Sequence, residues 1–201
     1  TGHAKNVANF QSLIAFVTGY GTTYNPSKNA LKLPQLIALK ADADTKLANV
    51  VIENTKFNTK VNERQAAFSS LKSLSTRLVN ALQTTDASTQ IIKDAKGFNR
   101  KMQGQRASAS ATTPTDPNTP APNTISSSQQ SYTQQIQHLA GLISVLQSEP
   151  SYTPNETDLK IATLQATQND LTTKNNEVAT AYANISNSRI SRNTTLYSTE
   201  G

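Results

Sequence analysis

Five basic side chains close together in the sequence are the residues best suited to binding a charged partner. They are Lys93, Lys96, Arg100, Lys101 and Arg106. On a helix, Lys93, Lys96 and Arg100 share one face, where they can contact a phosphate backbone or an anionic membrane surface. Such a run is more often a solvated helix face, and no recognised nucleic-acid-binding motif surrounds it. The sequence leaves both interpretations open.

Arginines also occupy apolar positions of two predicted long helices. Arg64 and Arg192 stand at matching positions, and Arg189 lies one step before Arg192. A guanidinium on an apolar face needs a partner or a route to solvent. In the first interpretation the stems pack and the charged groups reach solvent or bond to Asn54, Tyr182 or backbone carbonyls. In the second, the arginines form an anion or partner site on a pseudo-twofold axis.

Two Tyr-x-Pro segments form the third candidate site. They contain Tyr24 with Pro26, and Tyr152 with Pro154. We expect each tyrosine ring to pack against the helices and its hydroxyl to hydrogen-bond, so that the loop is braced. If the rings are exposed instead, they offer two equivalent contact points for a partner.

The remaining residue types argue against catalysis. Cysteine is absent, which excludes disulfides, thiolate metal sites and cysteine nucleophiles. His3 and His138 lie far apart, and Asp42 and Asp44 fall on different faces of a helix. No nucleotide-binding loop or nucleophile elbow occurs. We therefore predict that the chain is not an enzyme and has no metal or cofactor site.

Composition limits the core and concentrates the charge. The chain has 201 residues, of which 35% are hydrophobic and 5% aromatic, so any core must be thin. The net charge is +6, yet residues 1–104 hold 14 Lys/Arg against 6 Asp/Glu, whereas residues 105–201 hold 5 against 7. The longest apolar run is Leu13–Val17, so we predict no transmembrane segment. The compartment is not fixed by these features, and a cytoplasmic location is slightly favoured.

The sequence contains an internal repeat. Residues 23–36 match residues 151–164 at an offset of 128, and residues 13–17 match residues 142–146 at an offset of 129. Between the copies lies a segment rich in Pro, Ser and Thr, typical of a flexible linker. We predict a first repeat over residues 1–104, a linker over 105–128 and a second repeat over 129–201.

Apolar periodicity predicts a short helix, a loop and a long helix in each repeat, with an extra basic helix over residues 88–103. The first long helix has an apolar seam at three- and four-residue spacing: Leu47, Val50, Asn54, Phe57, Val61, Arg64, Phe68, Leu71, Ser75, Leu78 and Leu82. It is either one helix over about 34–83 or two helices with a break near Ser69-Ser70. The predicted fold is all-α, an elongated bundle of two duplicated helical hairpins with pseudo-twofold symmetry.

These segments resemble a known family. Residues 3–10, with Tyr24-Asn25-Pro26-Ser27 and Tyr152-Thr153-Pro154-Asn155, are similar to a family of uncharacterised helical bacterial proteins, mainly from Bacteroidetes. The resemblance covers most of the chain outside the linker and implies no activity. Members of that family extend further, so it also implies that this chain is truncated at its C-terminus.

We predict a non-catalytic structural or protein-interaction module that presents long helical surfaces to another protein. The alternative is a nucleic-acid-binding protein that uses the basic helix at residues 93–106. A helical membrane-active protein ranks lowest. Polar seam residues such as Asn54 could pair the two repeats or set the register of a homo-oligomer, and the sequence does not distinguish these.

Overall fold

The computed structural model describes residues 2–105 and 130–197. Within them the chain is all-α, without strands, as the sequence predicted. The α-helices are α1 (Gly2–Tyr20), α2 (Leu33–Phe68), α3 (Leu71–Gln83), α4 (Thr89–Met102), α5 (Tyr132–Gln147) and α6 (Ile161–Tyr197). Short 3-10 helices cover Gly21–Thr23, Asn29–Leu31 and Thr157–Leu159. The predicted linker lies outside the described residues except for Gln105, and so does Arg106 of the basic cluster.

The helix ends follow local chemistry. Gly21 and Gly104 have positive φ angles of 57° and 75°, a conformation that glycine adopts without strain, and they follow α1 and α4. Ser88 and Ser131 precede α4 and α5, and each hydroxyl accepts a hydrogen bond from the amide three residues further on, at 3.3 and 3.2 Å. These caps satisfy amides that the first helical turn leaves without partners.

The first long helix, predicted over about residues 34–83, is not one continuous helix. Ser69 and Ser70 separate α2 from α3. Both the amide and the hydroxyl of Ser69 donate to the carbonyl of Ala66, at 3.2 and 2.7 Å, which ends α2 in a tight turn. Serine hydroxyls compete for backbone carbonyls in this way. Of the two alternatives, the break is therefore correct.

The described helices belong to two compact units. Unit 1 consists of Thr1–Val61 and Glu177–Gly201, and unit 2 consists of Asn62–Asn176. Each unit takes residues from both predicted repeats, because the division falls within α2 and α6. The units are defined by contacts between residues, whereas the repeats are defined by sequence similarity. The division into units therefore does not test the two repeats, which stay a prediction.

Unit 2 contains a well-packed core. α4 packs on both α3 and α5, and the side chains between them are buried almost completely. The fully buried members include Leu78, Leu82, Met102, Leu142 and Leu146. Because the leucine rows of α3 and α5 pack against the apolar face of α4, this unit buries the apolar surface that its sequence carries.

Unit 1 has a thinner core. Its main buried cluster joins Ile14 and Val17 of α1 to Leu36 of α2, with Phe10 and Tyr24 packed at its edge. The C-terminal part of α6 contributes further buried side chains to this unit, among them Val178 and Ile185, which are spaced for one helix face.

No helix in residues 2–105 and 130–197 combines the length and the apolar character needed to cross a membrane.

Candidate interaction surfaces

Large hydrophobic side chains are exposed in unit 1 and in no part of unit 2 that the structure describes. They are Leu13, Phe16, Tyr20, Leu31, Ile37, Leu39, Val51, Ile52, Tyr182, Ile190 and Tyr197. Single exposed apolar residues are ordinary, but their confinement to one unit is not. Among the described residues, unit 1 is therefore the part that carries exposed large apolar side chains.

Three of these residues form a row on α1, which we name the α1 stripe: Leu13, Phe16 and Tyr20. They are 49%, 69% and 63% exposed, and their spacing of three and four residues places them on one face. The buried residues Ile14 and Val17 point to the core cluster on another face. The apolar run at 13–17 thus extends around α1 beyond the face that the core of unit 1 buries.

The three- and four-residue spacing of Val7, Phe10, Ile14 and Val17 indicates the inward face of α1 and does not indicate the stripe. The signal was present in the same run, because five consecutive apolar residues cannot all fall on one helix face. Such a helix is typically covered on more than one side.

The two Tyr-x-Pro loops have the same hydrogen bond. The Tyr24 hydroxyl donates to the Leu31 carbonyl at 2.7 Å, and the Tyr152 hydroxyl donates to the Leu159 carbonyl at 2.9 Å. Each bond joins the tyrosine to the 3-10 helix that precedes the long helix. In this geometry the hydroxyl fixes the loop to the beginning of the next element.

The surroundings of the two tyrosines differ. Tyr152 is buried, whereas Tyr24 is half-buried, and Pro26 and Pro154 are both half-buried. Burial, with the nearby charges of Glu156 and Asp158, raises the pKa of Tyr152 to about 12. A neutral phenol is therefore the form that the loop of unit 2 holds at ordinary pH.

An ion pair in unit 2 links α3 to the second Tyr-x-Pro loop. Arg77 contacts Asp158 through both terminal guanidinium nitrogens, Nη1 and Nη2, and the Nη2–Oδ1 distance is 3.3 Å. The hydrogen bond and the charge of Arg77 lower the pKa of Asp158. Sequence reasoning did not identify this pair, because the two residues are separated by a long stretch of chain.

Arg64 lies in unit 2 among aromatic and amide side chains. Its guanidinium carbon is 4.1 Å from the centre of the Tyr132 ring, and its Nη1 donates to Oδ1 of Asn175 at 3.2 Å. Phe68 packs edge-on against the same Tyr132 ring, with the ring centres 4.7 Å apart. A cation over an aromatic face is favourable, and most so where water is excluded. This environment provides partners for the charge within the fold.

The other two arginines lie in unit 1. Arg192 is half-buried, and its Nε and Nη2 donate to Oδ1 of Asn193 at 3.1 and 2.9 Å. Arg189 is exposed. Arg64 and Arg192 thus stand in different compact units.

The basic cluster lies on the outer face of α4. Lys93, Lys96, Arg100 and Lys101 are exposed, and no ion pair involves them within the described residues. Together with Phe98 and Val145 they line an open groove. Arg100 and Lys101 also fall in the last turn of α4, where positive charge favours the helix dipole.

The histidines lie in separate surroundings. His138 is buried in α5, and Nδ1 of His3 is 2.7 Å from the Tyr197 hydroxyl. In the part of the chain that the structure describes, no group of three or more His, Asp or Glu side chains is arranged to hold a metal ion.

No family model, curated protein or solved structure matches this chain. The resemblance to the helical bacterial family therefore stays a prediction.

Proposed function

We propose that the chain is a non-catalytic protein-interaction module whose contact surface is on unit 1. The observation that carries this proposal is the confinement of the exposed large hydrophobic residues to that unit. Exposed apolar surface is costly in water, and its contiguous presence is typical of a surface that binds another macromolecule.

The duplicated architecture and the family resemblance belong to the same proposal. Three features recur at the offset of 128 found in the sequence: the tyrosine hydrogen bond, the 3-10 helix after it and the first residue of the long helix, Leu33 or Ile161. Matched loops of this kind support descent of the two repeats from one helical hairpin.

Affinity capture with three forms of the chain tests the interaction module. Phe16→Glu places a charge in the α1 stripe, and Ala15→Glu places the same charge on an exposed position of α1 about 100° away. We expect proteins retained by the wild type to be retained by Ala15→Glu and lost with Phe16→Glu, while circular dichroism shows equal helix content. Equal retention by all three forms contradicts the proposal.

The nucleic-acid alternative rests on a separate observation, the exposed basic face of α4. Lys93, Lys96 and Arg100 have the spacing of one helix face and no ion-pair partner within the described chain. Exposed cations of this kind can each displace a counterion from a phosphate backbone.

Fluorescence anisotropy with labelled duplex DNA and single-stranded RNA decides the alternative. If the basic face binds duplex DNA through three phosphate contacts, Lys93→Glu with Lys96→Glu and Arg100→Glu lowers the salt slope of log K by about 2.7. The control variant changes three other exposed lysines by the same charge: Lys28→Glu, Lys72→Glu and Lys160→Glu. Equal losses in both variants would show that net charge alone drives binding, and would exclude a site on α4.

A further inference from the structure

α1 has the composition of a helix that is covered on two sides. Its matching helix, α5, shows what such cover looks like. At the offset of 129, Leu13 corresponds to Leu142 and Phe16 corresponds to Val145. Leu142 is fully buried and Val145 is half-buried, whereas Leu13 and Phe16 are exposed.

The cover on α5 is the amphipathic helix α4. Its Phe98 ring lies directly over Gly141, close enough that a Cβ built on Gly141 would be 2.2 Å from the ring. Met102 and Ala95 on the same helix are fully buried in this core. α4 thus packs on the side of α5 that includes Gly141 and Val145, and Val145 corresponds to the exposed Phe16 of α1.

The Lys, Arg, Asp and Glu residues of α1 and of the loop segment after it are all lysines. Lys5 stands eight residues before Leu13, on the same face of α1, and it is exposed. Lys28 and Lys32, in the loop segment after α1, are also exposed. The first acidic residue of the chain is Asp42, so α1 and the loop segment after it contain lysines and no acidic residue.

We propose that the α1 stripe binds an amphipathic helix of a partner protein, with an apolar face like that of α4 and acidic residues along its edges. The apolar face replaces water over Leu13, Phe16 and Tyr20, as a helix does in a hydrophobic groove. The acidic edges complement Lys5 and the lysines of the following loop, which sets orientation and excludes basic helices. This inference rests on the proposed function and names the chemistry of its partner.

The chain's own α4 supplies the probe. One synthetic peptide has the sequence of residues 88–104, and a second has the same sequence with its four basic residues changed to Glu. The changes are Lys93→Glu, Lys96→Glu, Arg100→Glu and Lys101→Glu. The two peptides share one apolar face and differ in charge alone, so they separate the apolar from the electrostatic requirement.

A tryptophan in the stripe reports binding. The 201-residue chain contains no Trp, so Phe16→Trp in this chain provides a single Trp emission signal at the proposed site. We expect the acidic peptide to shift the emission to shorter wavelength and to bind about tenfold or more tightly than the basic peptide at low salt. Adding Leu13→Glu should abolish the shift, and Ala15→Glu should preserve it.

Several results overturn the proposal. The proposal is wrong if neither peptide shifts the Trp emission. It is also wrong if Leu13→Glu leaves the emission shift unchanged. A shift with vesicles of equal phosphatidylglycerol and phosphatidylcholine, without one for the acidic peptide, assigns the stripe to a membrane surface. A dimer in sedimentation velocity that Leu13→Glu dissociates assigns it to a second copy of the chain. If these probes fail while affinity capture still depends on Phe16, the interaction module stands and only the helical acidic partner is wrong.

Discussion

At the scale of single residues, hydroxyl and charge contacts fix the loops from which the long helices begin. Tyr152 donates to a buried carbonyl, and Tyr24 makes the same bond to a carbonyl at the surface. The repeat indicates that the two tyrosines are equivalent, and burial of the rings requires a hydrogen-bond partner for each hydroxyl, so both features could be predicted. The acceptor could not, because it is a main-chain carbonyl whose position depends on the intervening turn.

Removing the two hydroxyls should have unequal effects. Tyr152→Phe leaves the buried Leu159 carbonyl without its donor and should lower the free energy of unfolding by about 1 to 3 kcal/mol. Tyr24→Phe should cost about 0.5 kcal/mol or less, since water can reach the Leu31 carbonyl. Urea unfolding followed by circular dichroism measures both. Equal losses would mean that burial does not set the strength of this bond.

The Arg77–Asp158 pair predicts a dependence on acid. The pKa of Asp158 is lowered from its ordinary 3.8 by Arg77, so the folded state favours the charged carboxylate. The resulting stability is present above about pH 4 and is lost as the pH falls through the lowered pKa. We expect Asp158→Asn to remove this part of the acid destabilisation in thermal melts.

The double variant Arg77→Gln with Asp158→Asn is the control for that experiment. It should follow the pH profile of Asp158→Asn, because the two residues act as one pair. A profile that still falls as steeply as the wild type would show that other carboxylates cause the acid loss.

At the scale of elements, helix packing depends on close contacts that periodicity alone does not show. Apolar spacing predicted α4 over residues 88–103, and the structure has it at Thr89–Met102. The α1 stripe was not predicted, since a periodicity argument assigns one buried face to each helix and α1 carries apolar residues on two. The apolar spacing keeps the same phase on both sides of Ser69-Ser70. The sequence therefore could not distinguish one long helix from two helices with a break at these serines.

Two glycines test the contact between α4 and α5. Gly141→Ala places a methyl group against the Phe98 ring and should destabilise unit 2 by about 1 to 3 kcal/mol, which outweighs the gain in helix propensity. Gly97→Ala meets no atom within 4 Å and should instead stabilise by about 0.5 to 1 kcal/mol. Thermal and urea unfolding distinguish these signs. A stabilising Gly141→Ala would contradict the close approach of the two helices.

At the scale of the whole molecule, the two compact units differ in how completely they bury their apolar residues. In unit 2 several helices surround a leucine-rich core. Unit 1 has a smaller buried cluster, and the exposed large hydrophobic residues of the described chain all lie in it. The composition indicated a thin core for the chain as a whole. The two predicted repeats could not show that one unit buries its apolar residues better than the other, because each unit contains residues of both repeats.

Hydrogen exchange should reveal that contrast. Backbone opening costs less where fewer apolar contacts are broken, so amides of α1 should exchange about tenfold or more faster than those of α5. Mass spectrometry of peptides from Gly2–Tyr20 and Tyr132–Gln147 compares the two helices directly. Equal protection would mean that unit 1 is as well supported as unit 2 without a partner.

Site-specific photo-crosslinking in cells that express the chain tests the interaction module most directly. A benzophenone side chain is placed at Phe16, in the α1 stripe, or at the neighbouring exposed Ala15, on another face of the same helix. We predict a discrete adduct with another protein from position 16 and none from position 15. Absence of an adduct from position 16, or the same adducts from both positions, would contradict the claim that this surface of unit 1 binds a partner.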